Sequence, residues 1–215
     1  MATSDRSACA RSLPPPSPPA LAFFGGILLL DAPTALSPLV EQQLWERVFM
    51  SGGHREIMAS FREIYGKEIR ALTYTGRGSL LADVDPRPLR LDDLGAGMRV
   101  AVRVLMAAMV CSGSALLLEE FDAYQHKASL AQLARTLCKM AVDRSVQLFM
   151  TTHSLESVHA FVAGAAGLDD GGLKIFPLEL GADGTLTARG MERGDALRLL
   201  EAGVDLRDLT SYAKK

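Results

Sequence analysis

The feature that most constrains this 215-residue chain is the stretch ALLLEEFD at residues 115–122. A short apolar run without alternation reads as a strand covered on both faces, the pattern of parallel sheets in α/β proteins. Such strands deliver their chemistry at the carboxyl end. Here that end carries Glu119, Glu120 and Asp122, three acids in four positions. Adjacent carboxylates repel each other and lose hydration, so they call for a cation or a shared proton. The candidates are a metal site and a general base.

The surrounding pattern supports a mostly parallel sheet flanked by helices. MRVAVRVLMAAMVC from Met98 predicts an apolar helix closed by Ser112 and Gly113, ASLAQLARTLCKMAVD a second helix, SVQLFMTTHS a buried strand with a polar end, and LESVHAFVAGA a third helix. Strand, helix, strand, helix in that order is the βαβ arrangement, with 115–119 and 147–151 expected as adjacent central strands. Upstream, FGGILLLD predicts a first strand, SPLVEQQLWERVFM an amphipathic helix capped by Ser37, and HREIMASFREIYG another. IRALTYTGRGSLLADV predicts a hairpin around Gly76 and Gly78, LKIFPLELGADGTLTARG one turning at Asp183 and Gly184, and DALRLLEAG starts a helical tail.

Residues 1–20 are rich in Pro and Ser and read as a disordered leader; 21–180 form the main lobe, and 181–215 the hairpin end and tail of the same domain. The run ALAFFGGILLL after Arg6 and Arg11 is too short to span a bilayer, and LPPPSPPA would interrupt a signal helix, so no membrane association is expected. A net charge of -2 and a pI near 6.1 give no support for a globally basic nucleic-acid binder. Three cysteines, Cys9, Cys111 and Cys138, cannot all pair; the last two sit in apolar helical patterns and point to a reducing, cytoplasmic setting.

Four elements carry candidate chemistry: the glycine turn LGAGMR at 94–99, LLLEE at 116–120, FDAYQH at 121–126 and TTHS at 151–154. A glycine turn opening a helix presents backbone N–H groups and a dipole to an anion, or is simply a helix start. An acidic strand end suits Mg²⁺ and a base for water, and the neighbouring strand would set His153 beside it.

In this order and spacing the motifs resemble the C-terminal half of an ABC-type ATPase head, of the OLD-like and SMC- or RecF-like branch, over roughly residues 25–180. The resemblance implies a P-loop NTPase fold binding ATP and Mg²⁺. It puts Glu119 in the Mg²⁺-associated Walker B position, Glu120 in that of the base polarising water, and His153 in that of the switch histidine. LGAGMR stands where the signature motif lies, with Gly95 in place of its serine, so that Gly95, Ala96, Gly97 and Arg99 would face a nucleotide held by an opposing head. Arg103, one turn on from Arg99, reads either as a phosphate contact in trans or as part of a solvated face.

The Walker A pattern G-x-x-x-x-G-K-[ST] does not occur in the 215 residues: GRGSLL lacks the lysine, and YGKEIR lacks the first glycine and the Ser or Thr. Most contacts to the β- and γ-phosphates would therefore have to come from elsewhere. The expectation is a half-head contributing signature, Walker B and switch-histidine elements to a composite site. Its P-loop would come from another chain, in an assembly with that chain or with copies of itself, with DNA repair or defence as the setting. Two alternatives stand beside it: a non-catalytic, partner-binding relic of such a head, and an unrelated metal-dependent hydrolase using Glu119, Glu120, Asp122 and His153 directly. His54, His126 and His159 read as structural or surface residues, and Trp45 as core or interface.

Overall fold

The structure, a computed structural model, describes residues 27–31, 37–75, 79–168 and 172–208. The expected leader, the tip of the hairpin at Gly76 and Gly78, and the final SYAKK lie outside those residues.

The chain is α/β. Strands β1 (Ile27–Leu30), β5 (Ala115–Glu119) and β6 (Gln147–Thr151) form a parallel sheet in the order β1-β5-β6. Between β1 and β5 run helices α1 (Pro38–Met50) and α2 (His54–Tyr65), the antiparallel strands β2 (Ala71–Tyr74), β3 (Leu80–Val84) and β4 (Arg87–Arg90), a 3₁₀ turn at Leu91–Leu94, and helix α3 (Ala96–Val110). A 3₁₀ turn at Phe121–Tyr124 and helix α4 (Lys127–Asp143) connect β5 to β6, and α5 (Leu155–Gly164) follows. The chain then forms β7 (Lys174–Ile175), the hairpin β8 (Leu178–Leu180) and β9 (Leu186–Ala188), β10 (Met191–Glu192) paired with β7, and α6 (Arg193–Glu201).

The strands 115–119 and 147–151 are adjacent and parallel, with Leu116 opposite Leu148 and Glu119 opposite Thr151. Only β5 is central, however: among the described residues β6 has a single ladder partner. The two faces of the sheet also differ. Leu28, Leu30, Leu116 and Leu118 are fully buried, with Leu148 and Met150 packed beside them on the core formed with α1 to α4. On the opposite face Ile27, Leu29 and Phe149 are 43%, 52% and 50% exposed. Leu117, on this face, is partly buried. The uninterrupted apolar run predicted two covered faces; one is covered.

Helix α3 is apolar all round, as its sequence predicts, and is buried from Val100 to Met109. That burial includes Arg103, 0% exposed, which donates through Nε to Glu41 Oε2 at 2.8 Å and pairs with the same carboxylate through Nη2. Arg103 is therefore neither a phosphate contact nor part of a solvated face. It fastens α3 to α1, where Glu41 also accepts the Leu80 N–H at 3.4 Å. Burial raises the Glu41 carboxyl, opposed by the Arg103 charge, and lowers Arg103, opposed by Glu41.

Smaller expectations sort themselves by burial. Trp45 is core, packed on Phe49 and on the His54 ring. Ser37 stands at the N-cap of α1 but makes no side-chain cap bond. His126 caps α4, accepting from the Ala128 N–H, and His159 is exposed on α5. Cys111 and Cys138 are buried free thiols, both pushed up to about 11 by burial, which keeps them protonated and unreactive. Helix α6 packs on α5 through a second apolar cluster of Val162, Ala196, Leu200 and Leu206.

Candidate functional site

Parallel strands bring their carboxyl ends to one edge, and here that edge collects the acidic and polar residues. Glu119 closes β5, exposed and in register with Thr151. Glu120 follows with φ 45° and ψ 32°, a left-handed conformation that non-glycine residues seldom adopt and that stores strain where it occurs. Its backbone is pinned on both sides: the Glu120 N–H donates to Thr151 C=O at 3.1 Å, and its carbonyl accepts the Ala123 N–H. This kink ends the strand and turns the Glu120 side chain to the loop beyond β6. His153 Nε2 lies 3.1 Å from Glu120 Oε1, an ion pair when the imidazole is protonated. Both side chains are open to solvent, 91% exposed for His153 and 51% for Glu120.

The glycine turn reaches the same region through the 3₁₀ turn after Glu120. Gly95, at φ 96° and ψ 152°, occupies backbone space that only glycine enters readily. A Cβ on Gly97 would stand 2.5 Å from the Tyr124 carbonyl oxygen, so glycine is required there by close approach. The Gly97 carbonyl accepts from Gln125 Nε2 at 2.8 Å and from the Tyr65 hydroxyl at 3.2 Å. Ala96 and Gly97 thus open α3 directly against the segment that follows the acidic pair. Arg99 bonds Asp92 at 2.9 Å. A nucleotide contact by Arg99 would compete with that bond.

Among the described residues no three His, Cys, Asp or Glu side chains gather as metal ligands. Asp122 is committed instead to hydroxyl donors, accepting from Thr152 Oγ1 at 2.6 Å and from the Ser157 hydroxyl. Both bonds engage Asp122 Oδ2, and the described residues offer no three-ligand cluster for the alternative of a metal hydrolase using Glu119, Glu120, Asp122 and His153. The sequence reading missed Asp122 as an anchor, along with Thr152, Gln125 and Tyr65. The available signal was Ser154, three residues before Ser157 at the start of α5, whose hydroxyl accepts the Ser157 N–H as a helix cap.

No family model matches the chain. An uncharacterized protein of Methanocaldococcus jannaschii, MJECL11, is 28% identical over 116 residues, covering 53% of this chain and 99% of that protein. Among solved structures, one from a study of ATP-driven dimerization and DNA-stimulated activation of SMC ATPases superposes with a TM-score of 0.51 at 14% identity. It covers 77% of this chain and 96% of its own. The chain has the fold of an SMC ATPase head. A second structure, the Smc head domain with an extended coiled coil bound to the C-terminal domain of ScpA from Pyrococcus furiosus, gives a TM-score of 0.50 at 17% identity. This chain spans 76% of its own length there but 41% of that longer chain. At these identities the likeness is one of fold alone. No described helix is long and apolar enough to cross a membrane.

Proposed function

We propose that this chain is a half-head of an ABC-type ATPase. It contributes Walker B, switch-histidine and signature elements to an ATP site whose P-loop lies outside these 215 residues, in another chain. The observation that carries this reading is the parallel sheet itself. It ends in the Glu120–His153 pair, and one of its faces exposes Ile27, Leu29 and Phe149. Parallel sheets are normally covered on both faces, and large apolar patches rarely persist on isolated monomers. A P-loop-bearing lobe laid over that face would cover it and bring phosphate-binding backbone to the carboxylate edge. SMC heads dimerise on ATP, as the similar structure describes for its own protein, and assembly with a further copy would set Gly95, Ala96 and Gly97 against an opposing nucleotide.

In this role Glu120 accepts a proton from the attacking water, and His153 steadies both that water and the Glu120 carboxylate. The donor set fits Mg²⁺ only as a shared site: Glu119 is one exposed carboxylate, and Mg²⁺ is commonly held by one or two carboxylates with phosphate oxygens and waters filling the rest. When bound, the ion would neutralise phosphate charge. The protein's own contribution is to place Glu119, Glu120 and His153 at one edge.

The isolated chain is expected to hydrolyse ATP negligibly, with activity appearing on addition of a P-loop-bearing partner found by co-purification. In that assembly Glu120→Gln should lower hydrolysis by about 10² or more while nucleotide-dependent association persists. His153→Ala should match it, and His159→Ala should change little. A competent ATPase in isolation, or unchanged activity with Glu120→Gln, would refute the composite site.

A further inference from the structure

His153 stands on a short loop, its ring 91% exposed and meeting Glu120 at 3.1 Å. The loop is held from below by one carboxylate. Asp122 lies two residues after Glu120, in the turn that the strained Glu120 backbone begins. Its Oδ2 accepts from Thr152 Oγ1, the residue before His153, and from the Ser157 hydroxyl, which is buried at the start of α5. Thr152 Oγ1 in turn accepts the Ser154 N–H at 2.9 Å, and Ser154 Oγ accepts the Ser157 N–H at 3.2 Å. Both chain neighbours of His153, Thr152 and Ser154, are therefore tied into a network that converges on Asp122. On the far side the Arg207 guanidinium donates to the His153 carbonyl at 3.3 Å.

We infer that Asp122 is a positioning residue: it joins the turn carrying Glu120 to the loop carrying His153, and so fixes the distance between those two side chains. A carboxylate suits the task because one oxygen can accept two hydroxyl protons in charge-assisted bonds, which are shorter and stronger than neutral ones. A side chain serving only to fill space would not need to gather donors from both sides of the histidine. The inference rests on the reading of Glu120 and His153 as the working pair, but its test involves neither nucleotide nor partner, so failure of the ATPase prediction leaves it standing or falling on its own.

The test is a coupling measurement on the full chain by NMR of the imidazole side chains. Glu120→Gln is expected to move the His153 ring resonances, because it removes the charge 3.1 Å away. The exposed His159 serves as an internal control on the fold. In an Asp122→Ala background the His153 response to Glu120→Gln should fall by at least half, with His159 unmoved. Asp122→Asn retains an acceptor and should give an intermediate response. Thr152→Val, which leaves Asp122 in place but removes both the hydroxyl donor to it and the acceptor of the Ser154 N–H, should weaken the coupling as well, and it carries the decision if Asp122→Ala does not fold. If His153 responds to Glu120→Gln as strongly in these backgrounds as in the wild type, Asp122 does not position the pair and the inference is wrong.

Discussion

Two acid–base pairs in this chain have opposite surroundings. Glu41 and Arg103 are 3% and 0% exposed and sit on regular helices, and Glu41 also accepts the Leu80 N–H of β3. Glu120 and His153 are open to water, on a left-handed kink and a loop. In the interior the attraction between charges is strong, but so is the desolvation penalty, and the pair is valuable chiefly because neither partner can be left alone. At the surface water screens the attraction, and the pair contributes little to stability. A strained backbone beside a weak surface pair is what the proposed catalytic role of Glu120 and His153 would account for, since the pair adds little to folding. The buried pair belongs to the scaffold, whereas the exposed pair lies at the edge proposed as the working one.

The sharpest way to break this contrast is to remove one carboxylate from each pair. Glu41→Ala takes from the buried Arg103 guanidinium its closest carboxylate, leaving the half-exposed Asp92 at 3.8 Å, and also removes the acceptor for the Leu80 N–H, and the loss of stability should be about 3–5 kcal/mol. Denaturant unfolding followed by circular dichroism measures it. Replacing both partners with apolar residues, Glu41→Leu with Arg103→Met, should recover most of the loss, because the penalty lies in the charge left buried without its closest carboxylate. A loss below about 1 kcal/mol for the single variant would mean that water reaches Arg103, and the distinction between the pairs would collapse.

A middle-sized effect of opposite sign is expected at the other carboxylate. Glu120→Gly removes the Cβ that makes φ 45° unfavourable, a relief of roughly 1–2 kcal/mol, set against about 0.5–1 kcal/mol for the added freedom of glycine in the unfolded chain. Thermal unfolding should therefore show a modest gain or no change, never a loss like that of Glu41→Ala. Loss of activity in this variant would follow from the missing carboxylate alone, so the stability change is the readout of the strain.

How much of this was legible in advance differs between the two regions. The parallel pairing of 115–119 with 147–151 follows from apolar runs and βαβ order, and it alone brings Glu120 and His153 to one edge, because both residues follow directly from the ends of neighbouring strands. The Arg103–Glu41 pair is invisible to such reasoning: the two are 62 residues apart, and an arginine one turn on from Arg99 looks equally suited to a solvated face until the packing of α1 on α3 is known. The role of Asp122 was hidden for the same reason, since its donors come from beyond the next strand. Local pattern reports where strands end; it does not report which side chains meet across the sheet. The uncovered sheet face was legible in a third way, as a conflict between a sequence that asks for two-sided burial and residues that supply one side.

The smallest effect expected is that of His153→Ala on stability. The imidazole is 91% exposed, and its side chain meets Glu120, itself about half exposed, at 3.1 Å, so its removal takes away one screened interaction and no packing. The loop around it keeps its bonds, because Asp122 holds Thr152, Ser154 and Ser157 without involving the ring. Unfolding free energy should change by no more than about 0.5 kcal/mol. Raising the salt concentration should leave that difference near zero, since the exposed pair is already largely screened. The same substitution is expected to lower hydrolysis by about 10² or more in the reconstituted assembly, and that separation of stability from activity is what distinguishes a working residue from a structural one. If His153→Ala instead destabilised the fold by several kcal/mol, the imidazole would be supporting the sheet edge as Arg103 supports α3, and the division of the two pairs into scaffold and working edge would have to be abandoned.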